Sequence, residues 1–323
     1  MAAPTGATAL LRRRRLEPGR RRPEPAKTAR RRVTASEQFT GWAFVTPGVA
    51  IILLFGAVPI VWSLVMSFQR NNLLTGNTPY VGLRNYRRML HDPVVAQAVQ
   101  HTFVYTALFV PGSMIVGLFL AVAMNRQIRF ISLYRTAAYA TMAISTISEA
   151  VVFIWLFDPS YGIVNYFLSL VHIPPQPWLN SPSQALYVIV AMTIWGWTGF
   201  AVVIYLAALQ GVPQMLVDAA AVDGASKWTT FRRVTLPLLS PASLFLAVWL
   251  TINALQLFDE VYLSTSGGPL NATTVLVYYL YEQAFQNFNF GYASAIAYLL
   301  FLIILVVTAI QFRVGRRLTY YRS

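Results

Sequence analysis

The chain has 323 residues, of which 56% are hydrophobic and only 11% charged, less than half the roughly 25% charge of a soluble domain. It contains no cysteine, which excludes a disulfide framework and any thiolate metal site. The formal net charge of +14 resembles a nucleic-acid footprint until it is located, because much of it lies in one short terminal segment.

That segment comes first. Residues 12–15, 20–22 and 30–32 are arginine runs, with Lys27 between them and Pro18, Pro23 and Pro25 interspersed. So little apolar content cannot support a core, and residues 1–40 are expected to form a basic disordered tail. The tail reads either as a contact for anionic lipid headgroups at the cytoplasmic leaflet or as a solvated retention segment. No nucleic-acid partner is expected. The first apolar run, 41–68, is uncharged and too long for the apolar region of a cleaved signal peptide. About 20 residues cross a bilayer, so it is predicted to span.

Five further runs follow, at 102–124, 136–157, 185–209, 242–263 and 292–312. Pro111 and Gly112 are expected to bend the second, and Glu149 interrupts the third. A transmembrane domain over 41–312 is predicted, followed by a short C-terminal tail at 313–323. With the N-terminus inside, 21 of the 25 Lys and Arg residues fall on the inner side, and only Arg70, Arg84, Arg87 and Arg88 fall outside. The positive-inside rule therefore places both termini in the cytoplasm. The outer connections, 69–101, 158–184 and 264–291, are rich in aromatic residues and proline and suit short packed caps.

Between the fourth and fifth runs lies the most polar stretch of the middle of the chain, 213–241. Residues 215–222 are rich in Ala and Leu and favour a helix. Asp223-Gly224 supplies a turn, since Gly tolerates the positive φ that ends a helix. Ser226 is placed to cap a second helix over 226–234, and Leu236-Pro237 with Pro241 stops or kinks it. A solvated connector has no need of small residues at Ala219, Ala220, Gly224 and Ala225, whereas close docking of a helix on a partner does. Trp228 and Phe231 read as docking anchors or as packing against the chain's own helices.

These residues resemble the coupling loop of ABC importer permeases, which runs Glu-Ala-Ala, three residues, Gly, nine residues, Ile, one residue, Leu-Pro. Asp218, Ala219 and Ala220 stand for the first triplet. Gly224 follows three residues later, and Val234 with Leu236 and Pro237 closes the pattern; Asp replaces Glu and Val replaces Ile. The fuller form of the sugar permeases is met by Asp223, Gly224, Ala225, Ser226, Phe231, Leu236 and Pro237. Val81-Gly82-Leu83 with Asn85-Tyr86, then Phe258-Asp259 with Gly267-Gly268-Pro269, extend the resemblance from the first span to the last. His101 stands where that family commonly has Asn. The branch resembled is that of the maltose- and glycerol-3-phosphate-type importers, in the half of the permease pair called F-type.

The resemblance implies an all-α polytopic membrane protein with six transmembrane helices in the type I ABC importer permease (MetI-like) fold, in a prokaryotic inner membrane. It implies a second homologous permease subunit, two copies of a cytoplasmic ATPase subunit and an extracellular or periplasmic solute-binding protein. The solute would be a carbohydrate or polyol, with a glycerol-3-phosphate-type solute as the alternative. The chain has no P-loop, because Gly224-Ala225-Ser226-Lys227 lacks the second glycine and the following hydroxyl. No cofactor is expected here; ATP and Mg would be bound by the partner ATPase subunits.

Polar groups inside spans are costly and mark candidate solute contacts. Glu149 reads as a carboxylate facing a cavity or as a protonated or paired structural residue. Asn253, Gln256 and Asp259, spaced by three in the fifth run, are expected on one helical face, as solute ligands or as an interhelical seam. Trp195 and Trp197 offer stacking surfaces or simple packing. His91 and His172 lack metal-ligand spacing. An ATPase-independent transporter or channel would be expected to show repeated spans with charge relays, whereas only Glu149 is a candidate here. A membrane transferase would need catalytic acids, and Asp259-Glu260 is the single adjacent pair, inside the permease match. No catalytic constellation is expected.

Overall fold

The computed structural model describes residues 35–70, 78–126 and 129–318. Most of the expected basic tail, up to residue 34, and the final residues after 318 lie outside the described residues. The chain divides into two compact units, Met1–Gly56 and Ala57–Ser323. The first contains α1 (Ala35–Ile52), with Pro47 inside it. Trp42, Phe44, Ile51 and Ile52 are all exposed, so this helix is apolar on every side, as a helix facing hydrocarbon must be. A wider π turn, Leu53–Ala57, follows.

The second unit begins with α2 (Val58–Ser67), α3 (Arg84–Leu90), α4 (Pro93–Met124), α5 (Ile131–Ala140) and α6 (Thr146–Leu156). It continues with α7 (Ile163–Leu170), α8 (Ala185–Gln210), α9 (Gln214–Val222), α10 (Lys227–Thr230) and α11 (Leu236–Leu238). Then come α12 (Ser240–Leu255), α13 (Asp259–Ser264), α14 (Leu276–Tyr281) and α15 (Phe290–Leu318). Among the described residues there is no strand, only an isolated bridge between Gln69 and Tyr80.

Four stretches are long and apolar enough to cross a membrane: Trp42–Ser67, Pro93–Met124, Ala185–Gln210 and Phe290–Arg316. Two more pass only as bent pairs, Ile131–Ala143 with Thr146–Leu156 at 102°, and Lys227–Leu238 with Ser240–Leu255 at 62°. The third expected span, 136–157, is thus not one helix. The Ser145 side chain accepts from the Ser148 N–H at 3.3 Å and starts α6 afresh in mid-run, as N-cap residues do. The fifth also breaks, since α12 ends at Leu255 and α13 starts only at Asp259. The single helical face expected for Asn253, Gln256 and Asp259 therefore does not exist.

The core of the second unit is the pair α4–α8. Gly117 meets Ala201 so closely that a Cβ on the glycine would lie 2.4 Å from the alanine Cβ. Small residues allow this backbone approach, on which helix association in a membrane depends. Around the contact, Tyr105, Phe109, Ile189, Met192 and Tyr205 are fully buried, and the Tyr105 hydroxyl donates to Thr193 Oγ1 at 3.0 Å.

At one end of the bundle the motif around Asn85 ties the helices together. Asn85 Nδ2 donates to the carbonyls of Ser67 and Gln69 at 2.8 and 2.9 Å, while Gly82 supplies the positive φ of 57° before α3. Asp92 caps α4 by accepting from the Val94 N–H at 2.9 Å. Its other oxygen accepts from the hydroxyls of Tyr279 and Tyr292 at 2.8 and 2.6 Å. Burial alone would raise this carboxyl, but the bonds from Tyr292, Tyr279 and Val94 outweigh it and hold it below the usual carboxylate range.

Candidate functional site

Two adjoining cavities open where the bent third span, α8 and the broken fifth span meet. One, of about 210 Å³, is lined by Thr141, Met142, Ile144, Thr146, Glu149, Gly196, Trp197, Phe200 and Glu260. The other, of about 280 Å³, adds Tyr105, Phe109, Asn253, Gln256, Phe258 and Asp259. Thr146, Trp197 and Glu260 belong to both. The breaks that sequence periodicity misses are what make this site. At the bend of the third span, the Gly199 N–H donates to Thr141 Oγ1 at 3.1 Å. One turn away, Gly196 leaves room for the Glu149 carboxyl, which would lie 2.4–2.7 Å from any Cβ placed there. Two glycines three apart on α8 thus form a notch that receives both the bend and the acid.

Glu149 is only 7% exposed, and its Oε1 finds no hydrogen-bond partner among the described residues. α13 packs on α6 and on α8, which brings Glu260 to the same cavity as Glu149. The break after Leu255 turns Asn253, Gln256 and Asp259 into one lining, so the expected trio is assembled, though by a non-helical route. Trp197 lines both cavities and packs edge-on against Phe109 and Phe200. Trp195 is 40% exposed and packs on Phe153 instead. The two tryptophans, two residues apart on a helix, necessarily point in different directions.

Glu260, Thr146, Tyr105 and Gly196 also line the cavities, and no pattern in the sequence marks them as solute contacts. Ser145 was the available signal for the break, being an N-cap residue three before Ser148 and four before Glu149. A larger cleft of about 510 Å³, among Met114, Leu236, Leu244, Ala247, Ile310 and Val314, has mainly hydrocarbon walls and offers few groups to a polar solute.

The 213–241 loop has the form its residues predict. α9 ends at a turn in which Gly224 adopts φ 77° and the Ala225 N–H donates to the Ala220 carbonyl at 2.9 Å, a glycine-dependent helix stop. The Ser226 side chain accepts from the Thr229 N–H at 3.2 Å and starts α10. This second helix widens over Phe231–Thr235 and continues through Leu236 and Pro237 to the 62° bend before α12. Asp218, Ala219, Asp223 and Gly224 are exposed, while Ala220, Ala225, Phe231 and Pro237 are half-buried. Met215, Leu216, Val222, Trp228 and Leu236 are exposed apolar side chains, and Trp228 stacks on Phe231 with ring centroids 5.8 Å apart.

A bundle of long apolar helices around a polar cavity, with a helix-turn-helix projecting between two spans, defines a polytopic membrane transport subunit. Residues 113–320 match the model of the binding-protein-dependent transport system inner membrane component, and the chain belongs to that family. It is 35% identical over 300 residues to the lactose transport system permease protein LacF of Rhizobium radiobacter, covering 90% of this chain and 99% of that one. It is 33% identical over 279 residues to the trehalose/maltose transport system permease protein MalF of Thermococcus litoralis, covering 85% and 93%. The fold is shared with a chain of a bacterial ABC transporter involved in the import of the acidic polysaccharide alginate, with a TM-score of 0.79 at 23% identity over 88% of this chain and 98% of that one. The chain is a permease subunit and not an enzyme; ATP hydrolysis in this family falls to separate subunits.

Proposed function

We propose that this permease moves a carbohydrate or polyol solute through the cavity at the two helix breaks, driven through the 213–241 loop by a partner ATPase. The observation that carries this is the cavity lining. Hydroxyl, amide and carboxyl groups of Thr146, Asn253, Gln256, Asp259 and Glu260 share the lining with the aromatic rings of Tyr105, Phe109, Trp197 and Phe258, a mixture of polar groups and aromatic walls that suits a sugar's hydroxyls and C–H faces. The lactose named for LacF and the trehalose and maltose named for the Thermococcus MalF support the same solute class.

Asp218, Ala219, Ala220, Asp223, Gly224, Ala225, Trp228, Phe231, Leu236 and Pro237 form the docking face in this scheme. Its small residues admit close helix contact, and its exposed aromatic group supplies an anchor. Two ATPase copies with their ATP and Mg, a second permease and an external solute-binding protein complete the importer. The distribution of Lys and Arg supports a cytoplasmic side for both termini and the docking face. The acids of the cavity weigh against a phosphorylated solute, because like charges placed together cost several kcal/mol.

Reconstitution tests the scheme directly. With the second permease, the ATPase and the binding protein in proteoliposomes, uptake is expected only with ATP and with all partners present. Uptake by this chain alone, without nucleotide, would overturn it.

A further inference from the structure

We infer that the chain binds an anionic phospholipid beside α15, with the lipid phosphate on Arg313 and Arg316 and an acyl chain in the cleft between α12 and α15. That cleft, of about 510 Å³, takes Leu244 and Ala247 from one helix and Ile310 and Val314 from the other. Toward the chain's C-terminus the two helices close on each other, where a Cβ on Gly315 would lie 2.3 Å from Leu244 Cδ1. Gln311 Nε2 donates to Thr251 Oγ1 at 2.7 Å and ties them again one turn away. Ile310 also lines a second hollow of about 760 Å³, together with Val306, Arg313 and Arg316. The apolar cleft and the basic hollow therefore adjoin at Ile310.

The order of residues along α15 follows the order of groups in a lipid. Val306, Ile310, Arg313 and Arg316 recur at steps of three and four and so share one side of the helix, apolar first and cationic last. From Val306 to Arg316 the helix rises about 15 Å at 1.5 Å per residue, half of the ~30 Å hydrocarbon core and hence the depth of one leaflet. Both arginines are exposed, and no described residue pairs with either guanidinium. Neither lining contains Asp or Glu, so the anion must come from outside the chain. A guanidinium grips phosphate through paired N–H donors. A zwitterionic headgroup brings its own ammonium and leaves the excess positive charge in place, whereas an anionic headgroup neutralises it. In the orientation proposed above, this end of α15 lies at the cytoplasmic leaflet. Leu236 and Ser240, on either side of the bend at Leu239, line the same cleft, so the acyl chain packs against that joint.

The experiment offers the complete permease–ATPase complex, in detergent, equal amounts of dioleoyl phosphatidylglycerol and dioleoyl phosphatidylcholine, and reads the retained lipid by native mass spectrometry. Phosphatidylglycerol is expected to be retained about tenfold over phosphatidylcholine, a step of one decade in Kd. R313Q/R316Q should remove most of that preference. R126Q/R129Q deletes the same charge from exposed arginines outside both linings and should leave it intact. Ala247→Phe, which fills the cleft, should lower retention of both lipids. Equal retention of the two lipids by the unaltered complex, or an equal loss in the two arginine variants, would overturn the inference, the second outcome by reducing it to general surface charge. Loss of the second permease from the Ala247→Phe complex, with lipid retention unchanged, would also overturn it and assign the cleft to that subunit. Should an arginine variant fail to assemble, the ranking on the unaltered complex decides alone.

Discussion

In the 213–241 loop the apolar side chains of Met215, Leu216, Val222 and Trp228 point outward, whereas at the joined cavities the carboxyls of Glu149, Asp259 and Glu260 point inward. Each region reverses the rule of its surroundings. A polar loop exposes hydrocarbon, and a hydrocarbon bundle conceals acids. Either reversal is costly in an isolated chain, through apolar surface left in water or polar atoms left unpaired. Under the proposed function both become favourable when something else arrives, a protein at the loop and a solute at the cavity.

Gly224→Pro should break the comparison most completely. Proline cannot adopt φ 77°, and it removes the N–H that Gly224 donates to the Ala221 carbonyl at 3.1 Å. Solute-stimulated ATP hydrolysis is expected to fall to the unstimulated level while membrane insertion persists; unchanged stimulation would show that the loop does not couple. Trp228→Ala should weaken ATPase-subunit binding by about 30-fold, the loss of one interface anchor worth ~2 kcal/mol, as read by pull-down titration. Solute binding to the permease should be untouched.

On the cavity side, Gly196→Ala should weaken solute binding by about tenfold, the worth of one charge-assisted hydrogen bond, because the flexible Glu149 side chain yields to the new methyl. Gly199→Ala is the contrasting change. Its Cβ would lie 2.6 Å from the backbone carbonyl of Ala138, which cannot move aside alone, so complex yield and melting temperature should fall instead. Smallest of all, Trp197→Ala should cost about fivefold in solute affinity, within the range of a cation–π or stacking contact. Trp195→Ala should cost nothing measurable by the same titration.

The loop was legible in the sequence because its geometry depends on single residues with one physical use each. Gly224 sits at positive φ, Ser226 at a cap and Leu236-Pro237 before a bend, and local chemistry alone dictates all three. Apolar length likewise predicted the spans, since the structure has four unbroken candidates and two bent pairs. What hydropathy does not register is direction. A bent helix is as apolar as a straight one, so the 102° turn before Thr146 went unread, although Ser145 marked it. The fifth span breaks at Gln256-Leu257-Phe258 with neither Pro nor Gly to announce it. The inward course of Trp197 and the outward course of Trp195 depend on neighbours distant in the chain, beyond the reach of any local pattern. Glu260 entered the cavity only through that unannounced break.

The bend at Leu239 has a mechanical consequence. Leu239 is completely buried, so the joint between Lys227–Leu238 and Ser240–Leu255 is seated like a crankpin in its bearing. One arm of the crank carries the exposed elbow, and the other, α12, is about 24 Å long at 1.5 Å per residue and terminates at the segment holding Gln256 and Asp259. Under the proposed coupling, torque on the elbow would reach the cavity through this one joint, passing from the first arm directly into α12.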